Sequence, residues 1–330
     1  MPTLSTLNPT LADLASRMTS DGKIDPMIVE MLTETNEILD DMSFIEANGY
    51  TEHKTTVRSG LPTGTWRKLN YGVQPEKSRT VQVKDSLGML ETYAEVDKAL
   101  ADLNDNKATW RLSEDRAFIE GLNQTLATTI FYGDSSLDPE KFMGLAPRYS
   151  SLSAENGRNI ISGGGTGDDN TSIWLLVWGP NTLHGIYPKG SQAGLSSRDL
   201  GEATLLDAAG GQYQGYRTHY KWDNGLTLRD WRYAVRIPNI DVSELAEGGT
   251  SPADILKLMV RALHRIPNLR LGRAAFYMNR NVSEALDVQS LAKTTLALKT
   301  HELEGKFWNS LRGVPIRTSD AILNTEAKVA

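Results

Sequence analysis

Apolar side chains recur four residues apart at Phe118, Leu122, Leu126 and Ile130, with Ile119 widening the stripe. That spacing lines one face of a helix and predicts one over Ser113–Tyr132. Ser113 is its expected N-cap, Glu114 and Asp115 fill a first turn where the dipole favours negative charge, and Gly133 follows as a left-handed residue past the end. Upstream the rhythm changes. From Thr80 to Leu90, Val81, Val83, Leu87 and Met89 alternate with Gln82 and Lys84, the period of a strand. Turn residues crowd just before it, at Gly60–Gly64, Asn70–Gly72 and Gln74–Ser78, with extended pieces at Thr55–Arg58 and Thr65–Leu69. Such a hairpin holds too few apolar residues for a buried sheet. It should project, and a two-stranded ribbon is marginal alone, so support from outside the monomer is implied.

The rest of the chain repeats these signals. Two short helical patterns, Thr10–Met18 and Pro26–Asp41, read as an arm unable to form a core by itself. Ala94–Leu103 reads as a short helix and residues 145–171 as loop. Ile173–Trp178 is a continuous apolar run of strand length, stopped by Gly179-Pro180. Tyr213–Trp222 and Leu226–Ile237 flank Asp223-Asn224-Gly225, a hairpin signal. Ser251 is placed to cap a helix through Ile255, Leu258, Met259, Ala262 and Leu263, with Pro252 in its first turn. A strand at Ala274–Met278 and a helix near Ser283–Leu291 follow.

A length of 330 residues allows two or three packed units, and 39% hydrophobic with 23% charged residues is ordinary for a globular chain. No apolar run approaches the roughly 20 residues of a membrane helix, and Met1-Pro2-Thr3-Leu4 lacks the build of a secretory signal, so no membrane partner is expected. The lack of cysteine excludes disulfides and thiolate metal sites and fits a reducing cytosol. A net charge of −6 argues against a tight grip on nucleic acid.

Candidate chemistry is sparse. Gly163–Asn170 lacks the Lys and Ser/Thr of a phosphate loop and the alternating ligands of a calcium loop, so it reads as a surface turn. The histidines His53, His184, His219, His264 and His301 show no pair at metal-ligand spacing, and no nucleophile elbow is present. No catalytic, metal or cofactor-binding residue is therefore assigned, and no enzyme activity or cofactor is expected. The aromatics Tyr213, Tyr216, Tyr220, Trp222, Trp231 and Tyr233 suit cross-strand packing. A carbohydrate-binding or carbohydrate-active surface is the alternative.

The order of features says more than any one of them. A polar hairpin with Trp66-Arg67-Lys68-Leu69-Asn70, a short helix and a long helix lead to the Tyr132-Gly133-Asp134 and Gly144-Leu145 turns. A helix, a basic loop, Tyr277-Met278-Asn279 and another helix come later, then Leu311-Arg312-Gly313-Val314-Pro315-Ile316 with Ser319-Asp320-Ala321. In this order they resemble the tailed-bacteriophage major capsid proteins, whose Hong Kong phage capsid fold encapsulins share. The resemblance implies an α+β fold. Its parts would be an N-terminal arm (1–50), an extended β-hairpin loop (51–93) and a spine helix with the start of the peripheral domain (94–171). Axial-domain-like strands (172–212), a peripheral sheet and helix (213–280) and an axial domain with the C-terminus (281–330) would follow. Strands resembling 172–190 and 213–238 usually come after the Gly-Val-Pro-Ile strand, so altered connectivity is expected.

The implied function is structural: self-assembly into the icosahedral head of a tailed double-stranded DNA phage, located in the virion and made in the host bacterial cytoplasm. An encapsulin-like compartment shell is the alternative. The implied partners are copies of the chain in hexamers and pentamers, a decoration or cement protein, a scaffold, a portal, and packaged DNA held by weak non-specific contact. Inter-subunit contacts are expected from Trp66, Arg67, Lys68, Tyr71 and Lys77, and from Arg261, Arg265, Arg270 and Arg273. The latter belong to Ser251–Arg280, where six bases meet the single acid Asp254 (6 − 1 = +5). That excess would meet an acidic face of a neighbour, with Glu91, Glu95, Asp97 and Asp102 as candidates, or line an inner surface near DNA. Some family members crosslink a loop lysine to a neighbour's asparagine. Lys68 and Lys77 lie in the matching region, but no assisting carboxylate is identified.

Overall fold

The computed structural model describes residues 34–102, 107–207, 209–245, 253–291, 298–303 and 306–330. The arm helix expected at Thr10–Met18 and the first half of that at Pro26–Asp41 lie outside them; the helix described in the second half is one turn, α1 (Ile38–Asp41). Next come β1 (Phe44–Glu46), β2 (Glu52–Gly60), β3 (Arg79–Asp97), α2 (Lys98–Ala101), α3 (Lys107–Tyr132) and α4 (Leu145–Arg148). The middle supplies β4 (Asn170–Trp178), β5 (Leu183–Tyr187), β6 (Ser196–Leu206), β7 (Gln212–Leu228) and β8 (Ala234–Asp241). After α5 (Val242–Leu245) and α6 (Ile255–Leu263) follow β9 (Arg273–Met278), α7 (Arg280–Leu291), β10 (Leu298–Leu303), β11 (Lys306–Leu311) and β12 (Val314–Thr318). The strands share one sheet, β10-β11-β12-β9-β4-β5-β7-β3-β2, with β1 beside β5, β6 beside β7 and β8 beside β4. The class is α+β, as expected.

β4 organises the core. All nine of its residues are buried, and successive side chains point to opposite faces. Trp174, Leu176 and Trp178 pack with Leu126, Ile130 and Phe131 of α3. Ile173, Leu175 and Val177 pack with Leu258 and Met259 of α6 and Val282 and Leu286 of α7. The uninterrupted apolar run thus marks a strand with helices on both sides.

The last residues strap this layer together. The Glu326 N–H donates to the Asn170 carbonyl at 2.8 Å, and its carboxylate pairs with the Arg236 guanidinium at 2.9 Å, both side chains being buried. The Tyr132 and Ser172 hydroxyls also donate to Glu326. Arg236 spends its other donors on the Tyr149 and Ala146 carbonyls and lies over the Trp174 ring.

Several local expectations fail for tertiary reasons. The long helix begins at Lys107, so Ser113 lies inside it and is no cap. Gly133 is not left-handed. It is required by close approach instead, because a Cβ there would sit 2.5 Å from the Phe142 carbonyl oxygen. Asn224-Gly225 makes no turn: β7 runs straight through it, with β3 paired along one edge and β6 then β5 along the other. At Gly225 a Cβ would lie 2.8 Å from the Ser86 carbonyl and 2.9 Å from Ile186, so crowding of three strands explains the glycine. The Ala94–Leu103 helix shrinks to α2 because β3 continues to Asp97. Ser251 lies outside the described residues, and Asp254 caps α6 by accepting the Lys257 N–H. Residues 145–171 hold α4 and a 3-10 turn at Glu155–Asn159 besides loop, and Thr65–Leu69 forms no strand.

Removing one partner of a buried ion pair strands the other charge. Glu326→Ala is therefore expected to lower the unfolding free energy of the unassembled chain by about 3–5 kcal/mol, read from denaturant titrations. A loss below about 1 kcal/mol would mean that the strap does not stabilise the core.

Candidate assembly interface

The expected projecting hairpin is present. β2 pairs antiparallel with β3 from Glu52↔Ser86 to Gly60↔Arg79, and residues 61–78 form a loop beyond the ladder. Trp66, Arg67, Lys68, Tyr71 and Lys77 all lie exposed on it. Trp66 is 100% exposed, Leu69 85%, Leu61 75% and Tyr71 69%. Isolated exposed apolar residues are normal, but a concentration of large ones marks an interaction surface. The loop is held by few bonds of its own: Glu76 accepts from the Thr63 N–H at 2.7 Å, and the Tyr71 N–H donates to the Lys68 carbonyl.

A second projection was not foreseen. β6 and β7 pair from Ser196↔Lys221 to Leu206↔Gln212, and most of β6 is exposed. Gly210-Gly211 after β6 was the available signal, with Gly210 at φ +87° closing the turn. Ion pairs anchor this ribbon to the helices, Arg111 to Asp199 at 2.7 Å and Lys98 to Glu202 at 2.8 Å. The aromatics Tyr216, Tyr220 and Tyr233 are buried, and Tyr220 stacks on Phe118 of α3, so they serve packing. Between β3 and α3 an open groove of about 440 Å³ is lined by Leu90, Phe118, Gly121 and Leu122.

The charged residues divide in a way the sequence did not show. Glu91 pairs with Lys221 at 3.0 Å and His219 at 3.1 Å across the β3–β7 ladder. The hydrogen bonds from Lys221 and His219 hold the Glu91 carboxyl below its ordinary range, and the same carboxylate raises Lys221. Glu95 pairs with Arg217, Asp97 accepts the Ala99 N–H and Asp102 accepts the Tyr216 hydroxyl. These four acids are already occupied within the subunit. Arg261, Arg265, Arg270 and Arg273 are exposed. Arg273 donates to the Asp41 carbonyl at 2.7 Å, whereas the other three make no ion pair among the described residues. Loop and basic patch belong to different ends of the sheet topology and form no single site. Among the described residues no group of acids and histidines could hold a metal, and no helix is long and apolar enough to cross a membrane.

The family model described as "Major capsid protein GP7" matches residues 19–330. A chain in the structure of bacteriophage epsilon15 shares 38% identity, covers 100% of this chain and 99% of its own, and superposes with a TM-score of 0.79. The bacteriophage JBD30 capsid is similar in fold, at 9% identity over 95% of this chain and 99% of its own, with a TM-score of 0.52. The SrpI encapsulin of Synechococcus elongatus PCC 7942 is more distant, at 12% identity over 70% of this chain and 96% of its own, with a TM-score of 0.45. No curated protein matches the sequence.

The root of the extended hairpin buries titratable groups. His53 of β2 lies 6.1 Å, ring to ring, from the fully buried His184 of β5. The Arg229 guanidinium is 3.5 Å from His53 Nε2, and Asp85 of β3 is paired with Arg148 at 2.8 Å. Burial first and Arg229 second push His184 down to about 4, and the same two causes lower His53. An unfolded histidine protonates near 6.5. As pH falls from 6.5 to 4 the unfolded chain therefore binds a proton that the folded chain refuses, and stability drops across that window. His184→Phe is expected to remove about 2 kcal/mol of that loss between pH 7 and 4.5, measured as the difference between denaturant titrations of variant and parent. Identical pH slopes would contradict it.

Proposed function

The chain belongs to the major capsid protein GP7 family and is a structural protein of a tailed-phage capsid, with the virion as its place; we propose that its work is geometric and not catalytic. The tile closes into rings of five and six, and the loop at 61–78 lies across a neighbouring copy. The observation carrying this reading is the cluster of large apolar side chains on that loop, led by the wholly exposed Trp66, which none of the described residues covers. Each buried Å² of such surface contributes about 25 cal/mol, and many modest interfaces sum to a stable closed shell. Arg67, Lys68 and Lys77 flank the apolar cluster and would fix its register on an acidic or carbonyl-rich neighbour.

Synthesis in the host cytoplasm fits a chain without cysteine. Packaged DNA would meet a protein of net charge −6, which permits weak non-specific contact and disfavours tight binding. A scaffold, a portal and a decoration protein are further proposed partners.

Deleting Gly60–Lys77 is expected to leave a soluble, folded chain that forms no shells, by circular dichroism and negative-stain electron microscopy. Shells of normal size from the deletion variant would refute the loop's role. Particles from the parent that carry a cargo enzyme and no DNA would refute the head-shell reading in favour of a compartment.

A further inference from the structure

Within the shell-building reading, on which this rests, we propose that neighbouring subunits of a ring join end to end by charge: the basic end of one subunit's central sheet receives the acidic end of the next.

Strand register defines the two ends. β4 and β9 are antiparallel, with Trp178 opposite Arg273, and β12 lies parallel to β9 with Ile316 opposite Phe276. One end of the sheet therefore gathers Arg273, the preceding Arg270 and the β11–β12 turn at Arg312-Gly313. Arg312 sits in the left-handed region at φ 53°, which a non-glycine residue adopts at some cost. Its guanidinium lies 3.4 Å from His264 Nε2, just past α6, so Arg261 and Arg265 extend the same cationic patch. Among the described residues no acid pairs with Arg261, Arg265, Arg270 or Arg312. Arg273 reaches only the Asp41 carbonyl, because that carboxylate is engaged by Arg317 at 3.2 Å and the Tyr277 hydroxyl at 2.8 Å.

The other end is acidic. β4 begins at Asn170, opposite Asp241 of β8, directly after Asp168 and Asp169. The Val242 N–H donates to the Asp169 carbonyl, and Glu244 follows one turn on in α5. Asp241 accepts from the Ser243 hydroxyl and the Glu244 N–H, bonds that neutralise none of its charge and hold its carboxyl below the ordinary range. The C-terminal strap brings the cation Lys328 past this end, between Glu326 at Asn170 and Val329 at Asn239. Asp168, Asp169 and Asp241 outnumber it. Nine strand residues separate the two ends, about 30 Å at 3.3 Å per residue. A head-to-tail contact between unlike surfaces closes into a ring when the rotation allows. Glu91 and Glu95 are neutralised inside the subunit by Lys221 and Arg217, whereas among the described residues no ion pair engages Asp168, Asp169 or Asp241, so this end offers the unneutralised carboxylates.

Two reversed chains test this. One carries Arg261→Glu, Arg265→Glu and Arg270→Glu and so has two acidic ends; the other carries Asp168→Lys with Asp169→Lys and has two basic ends. Each alone is expected to lose ring formation by about tenfold or more, by native mass spectrometry and electron microscopy. Mixed in equal amounts, they should form alternating six-membered rings and no five-membered rings, because an odd ring must contain one like-charged junction. Rescue on mixing also shows that both variants are folded. Rings from either variant alone at parental yield, or no rescue in the mixture, would overturn the proposal. Shells of normal size from the arginine variant that package less DNA than the parent's would also overturn it, by assigning the patch to DNA. Shells from the parent in parallel keep these failures apart from a failure of the shell reading itself.

Discussion

The architecture follows from where the long helices can lie. β4 is apolar on both faces, and a strand that is dry on both sides must be covered twice. α3 lies against one face, and α6 with α7 lies against the other. α3 also reaches the β3–β7 ribbon, where Leu122 packs with Ala94 and Tyr220. Beyond that contact no long helix among the described residues is left for the β2–β3 hairpin, the loop at 61–78 or most of β6. The rigid middle and the uncovered ribbons are two results of one allocation.

The strap ties the middle of the molecule together. Arg236 contacts β4 through Ser172, the 145–149 segment through two carbonyls and the last residues through Glu326. A buried pair of this kind is weak as a source of net stability; what it contributes here is geometric. Four segments distant in sequence must be in place together before the charges are satisfied, so the sheet and α3 hold a fixed relation. A tile whose ribbons adapt to different neighbours needs such an unyielding centre, because strain at a ring junction must be absorbed in the ribbons.

What the sequence made legible is what is decided locally. The four-residue spacing of Phe118 to Ile130 and the apolar run Ile173–Trp178 each state a period and a burial, and both are present where expected. The projecting hairpin was legible from its lack of oil. The misread positions are those where a distant segment decides. Asn224-Gly225 has the composition of a turn, but Ser86 and Ile186 press on it from both sides. Gly133 has the composition of a helix terminator, but the Phe142 carbonyl occupies its missing side chain's place. Glu91 and Glu95 looked available for a neighbour and are consumed by Lys221 and Arg217 of β7, a pairing that only the register reveals. The basic residues were legible; their segregation to one end of the sheet was not, since it depends on β12 lying beside β9.

In the proposed assembly, charge and apolar surface divide the work. Copies that each carry −6 repel in most orientations, and at physiological salt that repulsion fades beyond about 8 Å. Unlike ends meeting inside that distance reverse its sign for one orientation. This gives selection of a junction more than strength. Strength comes from Trp66 and the apolar residues around it, whose burial is favourable but has no preferred direction. An exposed apolar loop without an orienting charge would bring copies together in any arrangement, and oriented charge without the loop would give junctions too weak to last. The fold keeps the two on separate parts of the molecule, so orientation can be chosen at the ends of the sheet before the loop commits the contact.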